Sequence, residues 1–407
     1  MKKALVIVNL ALLAAASAVS IYAAAPAAPA APAAPANGAA AAPATSPGTA
    51  TAPATGRGRG NRGGGGGAGG RGAQGPALKE PVPNTLPGLL GKPIKWVSTA
   101  PLVVPVNDAN HTLQSIKDPT ISFIDGKWQI YATAHMTSTI SNTRNAFNMV
   151  HVEFDDFKNA AKAPLFYMDS NPKFTGYKCA PEMFYFTPQK KWYLTFQTQP
   201  PVYCTSDTPA DPNSWTAPQP FYPGSQQPVG GQWIDFHFIG DGEYMYMFFT
   251  GDNGNFVRAR TKYADFPKGF STPEIVFSGN RNLIFEAGFT YKIKGTEKYL
   301  TLIEGIGNGR FYSAYVADKL DGDWHPVQGF DSANSPFAGK VNLTFEEGVA
   351  PWSGQVSHGE LIRDSNDEKM ILDPNNLQFL YQGISDADNR GDYGALAYKL
   401  GLLRAVK

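Results

Sequence analysis

Three carboxylates stand out because each opens an apolar run. Asp118 leads through Pro119-Thr120 into Ile121 to Ile124, Asp235 leads into Phe236 to Ile239, and Glu286 precedes Phe289 to Ile293. Hydrolysing a glycosidic bond needs one carboxylic acid to protonate the leaving oxygen and one carboxylate to activate water or attack carbon. A third acid nearby holds the protonated one neutral by like-charge repulsion. Each residue alone has a plainer use: Asp in Asp-Pro-Thr is a common turn or capping residue, and Asp235 could bond a neighbouring amide. Their shared placement at the start of similar segments is what points to chemistry.

Five segments share one plan, a polar residue, a strand, a turn and a second strand usually rich in aromatics. Asp118 opens the first, with Asp125-Gly126 as its turn and Trp128 to Tyr131 returning. Pro181-Glu182 opens the second, Asp235 the third with its turn at Asp241-Gly242, and Glu286 the fourth. The fifth runs from His358-Gly359-Glu360 into Leu361-Ile362 and returns through Met370-Ile371-Leu372. Asp-Gly between apolar runs is a strong hairpin signal. A repeat of irregular length, about 60 residues, predicts blades with insertions rather than a tight solenoid. Five radial sheets hide most strand edges, so the sequence predicts an all-β, five-bladed propeller. The polar residue opening each innermost strand then faces the central channel. A two-sheet sandwich would leave five similarly placed polar residues unexplained.

Composition agrees: 42 Gly, 33 Pro, 12% aromatic and 17% charged residues suit short strands and turns over long solvated helices. The formal net charge of +1 gives no field favouring nucleic acid. Met1-Lys2-Lys3 and the apolar run from Ala4 to about Ala18 read as a cleaved signal peptide within residues 1–25. The expected location is secreted or periplasmic, with no stable membrane insertion and with surface attachment through the linker left open. Residues 26–86, rich in Ala, Pro, Gly and Arg, are expected to be a disordered linker, and residues 87–407 the propeller domain. The two cysteines, Cys179 and Cys204, exclude a disulfide scaffold, and their bridging is open. Nothing requires more than a monomer.

The motifs Ser115-Ile116-Lys117-Asp118-Pro119-Thr120, Cys179-Ala180-Pro181, Trp233-Ile234-Asp235-Phe236 and Ile284-Phe285-Glu286 resemble those of glycoside hydrolase family 62. So do Gly251-Asp252-Asn253-Gly254, Glu304-Gly305-Ile306-Gly307 and the closing run from Gly391 to Leu403. The resemblance covers nearly everything from Lys95 onward. It implies a five-bladed propeller that releases α-L-arabinofuranose from xylan, arabinoxylan above all, with inversion. On that resemblance Asp118 is the general base, Glu286 the general acid and Asp235 the residue that tunes the acid's pKa and orients the sugar. Lys117, Asn376 and Tyr393 resemble residues that contact the arabinose. His358 resembles the histidine that holds a central calcium ion, a site completed mostly by water because calcium prefers oxygen.

This sequence departs from the resembled pattern at Glu182, where Gln is usual, and at Ala287, where Gly is usual. It departs again at His237, at Gly240-Asp241-Gly242, and at Ser313 and Tyr315, where Arg and Trp are expected. The acid and base remain, so the departures bear on the polymer preferred. Trp352, Tyr203 and Trp215 are candidates for stacking on xylose rings. Two other readings stay open: a family 43-like xylosidase or arabinanase, and a catalytically silent carbohydrate-binding propeller.

Overall fold

A computed structural model describes residues 74–138, 146–198, 201–224, 232–391 and 393–406. The segment expected to be a signal peptide and most of the expected linker lie outside the described residues. Strands form five sheets, each led by one innermost strand: Thr112–Ile124, Cys179–Phe186, Ile234–Gly240, Glu286–Ile293 and Ser357–Leu361. We number the blades 1 to 5 in that order. The all-β propeller is therefore observed.

In blades 1 to 4 each innermost strand pairs antiparallel with the next strand in the chain, as local hairpins favour. Asp125 and Gly126 both take positive φ, 50° and 82°, the backbone that a two-residue turn between twisted strands requires. Blade 5 closes the ring. Its last strand, Lys399–Val406, pairs antiparallel with Lys95–Ser98 from the other end of the propeller sequence. Trp96 anchors that closure, fully buried, its indole N–H donating to the Phe337 carbonyl at 2.7 Å. The core lies between blades and is strongly aromatic; Phe184, Phe238 and Phe266 pack across the junction of blades 2 and 3.

Two expectations change. Ile371–Leu372 does not return beside Leu361; it pairs parallel with Lys292 and Ile293 of blade 4, and the true partner of Ser357–Leu361 is Gln378–Gly383. Periodicity marks a strand but not its neighbour. Residues 74–86, placed in the linker by the sequence, also pack on the propeller. The amides of Leu78 and Val82 bond the carbonyls of Ser278 and Pro326, so this stretch runs along the outermost strands of blades 3 and 4. Those outer strands carry unpaired backbone groups that a polar, Pro-rich segment can cover. No helix among the described residues is long and apolar enough to cross a membrane.

Candidate active site

Every innermost strand is broken by a bulge at the same level. The pairing shifts register between Lys117 and Thr120, Cys179 and Glu182, Ile234 and His237, Glu286 and Phe289, and Ser357 and Gly359. In the first four blades a residue inside the bulge takes left-handed backbone: Asp118 (φ 47°), Ala180 (48°), Asp235 (53°) and Ala287 (51°). Such a conformation costs a residue with a Cβ about 1–2 kcal/mol. It persists where surrounding bonds over-determine it, commonly at functional sites. It also explains why glycine is usual at position 287, since glycine takes that backbone without the steric cost that Ala287 bears.

The over-determining bonds are visible. The amide of each bulge residue donates to a side chain of the preceding blade. Asp118 N reaches Gln382 Oε1 (2.8 Å), Ala180 N reaches Thr133 Oγ1 (2.8 Å), Asp235 N reaches Gln197 Oε1 (3.2 Å) and His358 N reaches Glu304 Oε2 (2.9 Å). Each of those four acceptors stands opposite the residue just before the bulge of its own blade. The fourth junction differs. Ala287 N donates to Asp235 Oδ2 at 3.0 Å, while the buried hydroxyl of Thr250, the counterpart there, has no hydrogen-bond partner among the described residues.

This geometry gathers the candidate residues. His358 Nδ1 lies 3.3 Å from Asp118 Oδ1 and 3.5 Å from Asp235 Oδ2, joining blades 5, 1 and 3. Glu286 is not at the same register as Asp118 and Asp235; it stands one residue earlier, level with Lys117. The five polar markers are thus not strictly equivalent. That single-residue offset places Glu286 and the bulge residue Ala287 side by side, with Asp235 holding the latter.

Arg310, near the start of the third strand of blade 4, Gly309–Ala317, places Nη1 3.0 Å from Glu286 Oε1 and 3.1 Å from Glu304 Oε1. Burial lifts the Glu286 carboxyl, Arg310 opposes, and Glu304, Asp235 and Asp252 add to the rise; the result is about 8. For His358, burial alone disfavours the imidazolium, but Asp235 and Asp118 outweigh it and raise the ring to about 9. An acid protonated near neutral pH therefore sits across from two carboxylates that share one histidine.

Lys117 is buried, with Nζ 4.1 Å from the centroid of the Tyr393 ring and donating to its hydroxyl. Tyr393 itself is exposed, so the pair has one face toward solvent. Asn376 is not brought to this group. It is exposed on the turn just before Gln378–Gly383, and Gln382, which reaches Asp118, lies at the other end of that strand. The three aromatic stacking candidates are also elsewhere. Trp215 is fully buried against Tyr131, Tyr203 is buried in blade 2, and Trp352 packs on Tyr381. Tyr177 is a second aromatic exposed beside the site; Gln197 Nε2 donates to its hydroxyl at 2.6 Å.

Sequence reasoning misses Arg310 and the roles of Glu304, Gln382 and Gln197. Their signal is register across two strands, which spacing along one chain does not reveal. Two departures prove to be partners: the buried Glu182 and His237 approach to 2.9 Å, poorly aligned for a hydrogen bond, and Glu182 Oε2 accepts the Phe238 amide at 2.9 Å. Ser313 and Tyr315 are buried inside blade 4. Cys179 and Cys204 are both free, buried thiols.

His358 fits the part of a calcium ligand. A histidine that gives one ring N–H to carboxylates keeps the other nitrogen for a metal, and such carboxylate partners make the ligand more basic. Nδ1 faces Asp118 and Asp235, which leaves Nε2, and a metal there would have to displace the proton that the two carboxylates favour on the ring. Among the described residues no three His, Cys, Asp or Glu side chains form a metal-holding group, so water would supply the remaining ligands.

The pattern of glycosyl hydrolase family 62 matches residues 95–404. The chain belongs to glycosyl hydrolase family 62. Alpha-L-arabinofuranosidase C of Cellvibrio japonicus (strain Ueda107) is 38% identical over 323 residues, 78% of this chain. The match takes in 48% of that protein, so the chain spans about half the length of this curated relative. Among solved structures, the catalytic domain of a Coprinopsis cinerea family 62 alpha-L-arabinofuranosidase is 36% identical with a TM-score of 0.71, covering 77% of this chain and 97% of that one. An alpha-L-arabinofuranosidase of Podospora anserina, solved with cellotriose, is 35% identical with a TM-score of 0.71 over the same shares. A family 62 hydrolase solved with xylotriose is 37% identical with a TM-score of 0.70, covering 76% and 97%. As a family 62 chain, this protein has the five-bladed fold that its own repeats predict.

Proposed function

We propose that this chain hydrolyses α-L-arabinofuranosyl side chains from arabinoxylan or a related xylan, with inversion at the anomeric carbon. The observation that carries this reading is the convergence of Asp118, Asp235 and Glu286 from three blades, with His358 between the first two. In this mechanism Glu286 gives its proton to the glycosidic oxygen as the bond to the anomeric carbon breaks. Asp118 takes a proton from the water that attacks the opposite face. Asp235 holds the backbone beside Glu286 and, by its charge, helps keep that carboxyl protonated. Lys117 and Tyr393, paired at the pocket wall, contact the arabinose. The relatives named as arabinofuranosidases and the one solved with xylotriose support the sugar and the polymer.

Calcium belongs to the same proposal, with His358 and water as its ligands. Bound there it supplies fixed positive charge near the carboxylates. The basic start and apolar run of residues 1–25 support export to the periplasm or beyond. Chromatography of sugars released from arabinoxylan, debranched arabinan and xylo-oligosaccharides tests the function. Arabinose from arabinoxylan is expected. Xylose release or internal cleavage of arabinan favours a family 43-like activity, and no release at all favours a binding propeller.

A further inference from the structure

The family pattern begins at residue 95, so the residues before it lie outside the matched domain. Their described part follows a definite path. Gly75 N donates to Ser278 Oγ at 2.8 Å, Ser278 N to the Pro76 carbonyl at 2.8 Å, and Leu78 N to the Ser278 carbonyl at 3.1 Å. Only glycine fits at position 75, because a Cβ there would meet Ile275 at 2.4 Å. Farther on, Val82 N donates to the Pro326 carbonyl and the Val82 carbonyl accepts from Gln328 N. Ser278 stands opposite Asn255, at the end of blade 3 where Thr250 faces Ile234, the residue before Asp235. Pro326 stands opposite Tyr315, toward the far end of blade 4, where Ala317 faces Tyr299. Traced backwards from Val82 to Gly75, the chain therefore climbs from the far end of the propeller to the bulge end. It leaves blade 3 at the face that holds Asp118, Asp235 and Glu286.

The sequence just before this exit is basic. Arg57, Arg59, Arg62 and Arg71 lie among glycines, and no Asp or Glu precedes Glu80 in the chain. Without these four arginines the formal net charge of +1 would be −3. The described basic side chains near the exit are matched by acids: Arg281 by Asp252, Arg258 by Glu274 and Lys79 by Asp323. They offer little charge to a partner, so the preceding segment is the source of positive charge at this end. Covalent geometry keeps it close. At about 3.6 Å per residue at most, Arg71 lies within about 11 Å of Gln74, and Arg57 within about 61 Å. We propose that residues 57–73 are a polyanion-binding segment attached at the catalytic face, and that its partner is xylan bearing uronic acid side chains. Arginine pairs with carboxylates through charge-assisted hydrogen bonds, and uronic acid is the carboxylate such a polymer carries. The segment raises the local concentration of acidic polymer where the side chains are cut. The proposal rests on the xylan reading of the site.

The test compares the full-length wild type with a variant carrying Arg57→Gln, Arg59→Gln, Arg62→Gln and Arg71→Gln together, changes outside the propeller. The substrate is xylan that carries both arabinose and uronic acid, assayed beside the same polymer with its uronic carboxyls reduced to alcohols. On the acidic polymer at low salt the variant should raise KM about three-fold or more and leave kcat unchanged. In 1 M salt, where the screening length is about 3 Å, the difference should vanish. On the reduced polymer the two proteins should have equal KM. Arg57→Lys, Arg59→Lys, Arg62→Lys and Arg71→Lys together keep the charge and should keep the low KM. Native gels containing the acidic polymer read binding without turnover, and they should retard wild type more than the glutamine variant. Equal KM and equal retardation on the acidic polymer would overturn the proposal, as would the same rise in KM on the reduced one. Retardation of wild type by a polynucleotide but not by the acidic polymer would also overturn it, in favour of a nucleic acid partner. Absence of arabinose release from either polymer contradicts the xylan reading instead, and the gels still decide this proposal.

Discussion

Asp235 Oδ2 accepts the amide of Ala287 at 3.0 Å, so a carboxylate of blade 3 is tied to the backbone one residue beyond Glu286. The bond fixes where Glu286 starts its strand, and the charge behind it favours a protonated Glu286. Replacing Asp235 with Asn keeps a side chain of the same shape and removes that charge. Turnover of arabinoxylan should fall by about 10²-fold or more, the scale of a misplaced or wrongly protonated acid. The alkaline limb of the rate profile should also move to lower pH. A rate within a few-fold of wild type on steady-state assay would rule out the role given to Asp235.

Glu286→Gln removes the proton but keeps the shape. The expected loss is about 10²–10⁴-fold on arabinoxylan. Ligand affinity and the thermal midpoint at neutral pH should change little. Isothermal titration with an arabinoxylan oligosaccharide and a melting curve separate loss of chemistry from loss of structure. Unchanged turnover would dismiss Glu286 as the acid.

The raised Glu286 pKa has a sign for stability. A carboxyl at about 8 in the fold and near its ordinary 4.5 when unfolded binds its proton more tightly in the native state. Its contribution is complete below the unfolded value and is lost progressively as pH rises through about 8. His358, raised to about 9, acts in the same direction in a higher window, from its ordinary 6.5 upward. The thermal midpoint of wild type should therefore fall between about pH 5 and 8 more steeply than that of Glu286→Gln. Parallel curves on differential scanning calorimetry would contradict this.

Much of the site is legible in the sequence because it sits at the start of hairpins, where turn chemistry and aromatic runs give strong local signals. Asp118 and Asp235 are found that way, and the structure puts both in bulges beside His358. The hidden part depends on pairing between strands. Arg310 reads as an ordinary charge at the end of a glycine-rich turn until Glu304 and Glu286 are seen on either side of it. Met370 to Leu372 reads as the return strand of blade 5 because nothing in its pattern says that blade 4 is its neighbour. Asn376 rests on the resemblance of a whole segment, and its turn lies beyond the far end of the strand that reaches the site. Glu182 and His237, read separately as departures, are intelligible only as a pair.

That pair predicts a stability effect. Both side chains are buried, and Glu182 also holds the Phe238 amide. Removing Glu182 leaves the buried Phe238 amide without its acceptor, at a cost of about 1–3 kcal/mol. Glu182→Ala should show it as a lowered denaturant midpoint. A midpoint unchanged from wild type would show that the two departures do not depend on each other.

If His358 and water hold calcium, the ion binds the native state and raises its stability by mass action, about 2.7 kcal/mol at a hundred-fold excess over Kd. Addition of calcium to chelator-treated protein should raise the melting temperature, and His358→Ala should lose the response. No response in wild type would remove calcium from the proposal.

Proton NMR of arabinoxylan hydrolysis in its first minutes tests the pairing of Asp118 as base with Glu286 as acid most directly. Inversion requires the released arabinofuranose to appear first as the β-anomer, because water attacks the face opposite the departing α-linked xylose oxygen. Initial β-anomer, absent with Glu286→Gln, is the expected result. Initial α-anomer would mean that a carboxylate attacks the sugar itself, and the roles assigned to Asp118 and Glu286 would be wrong.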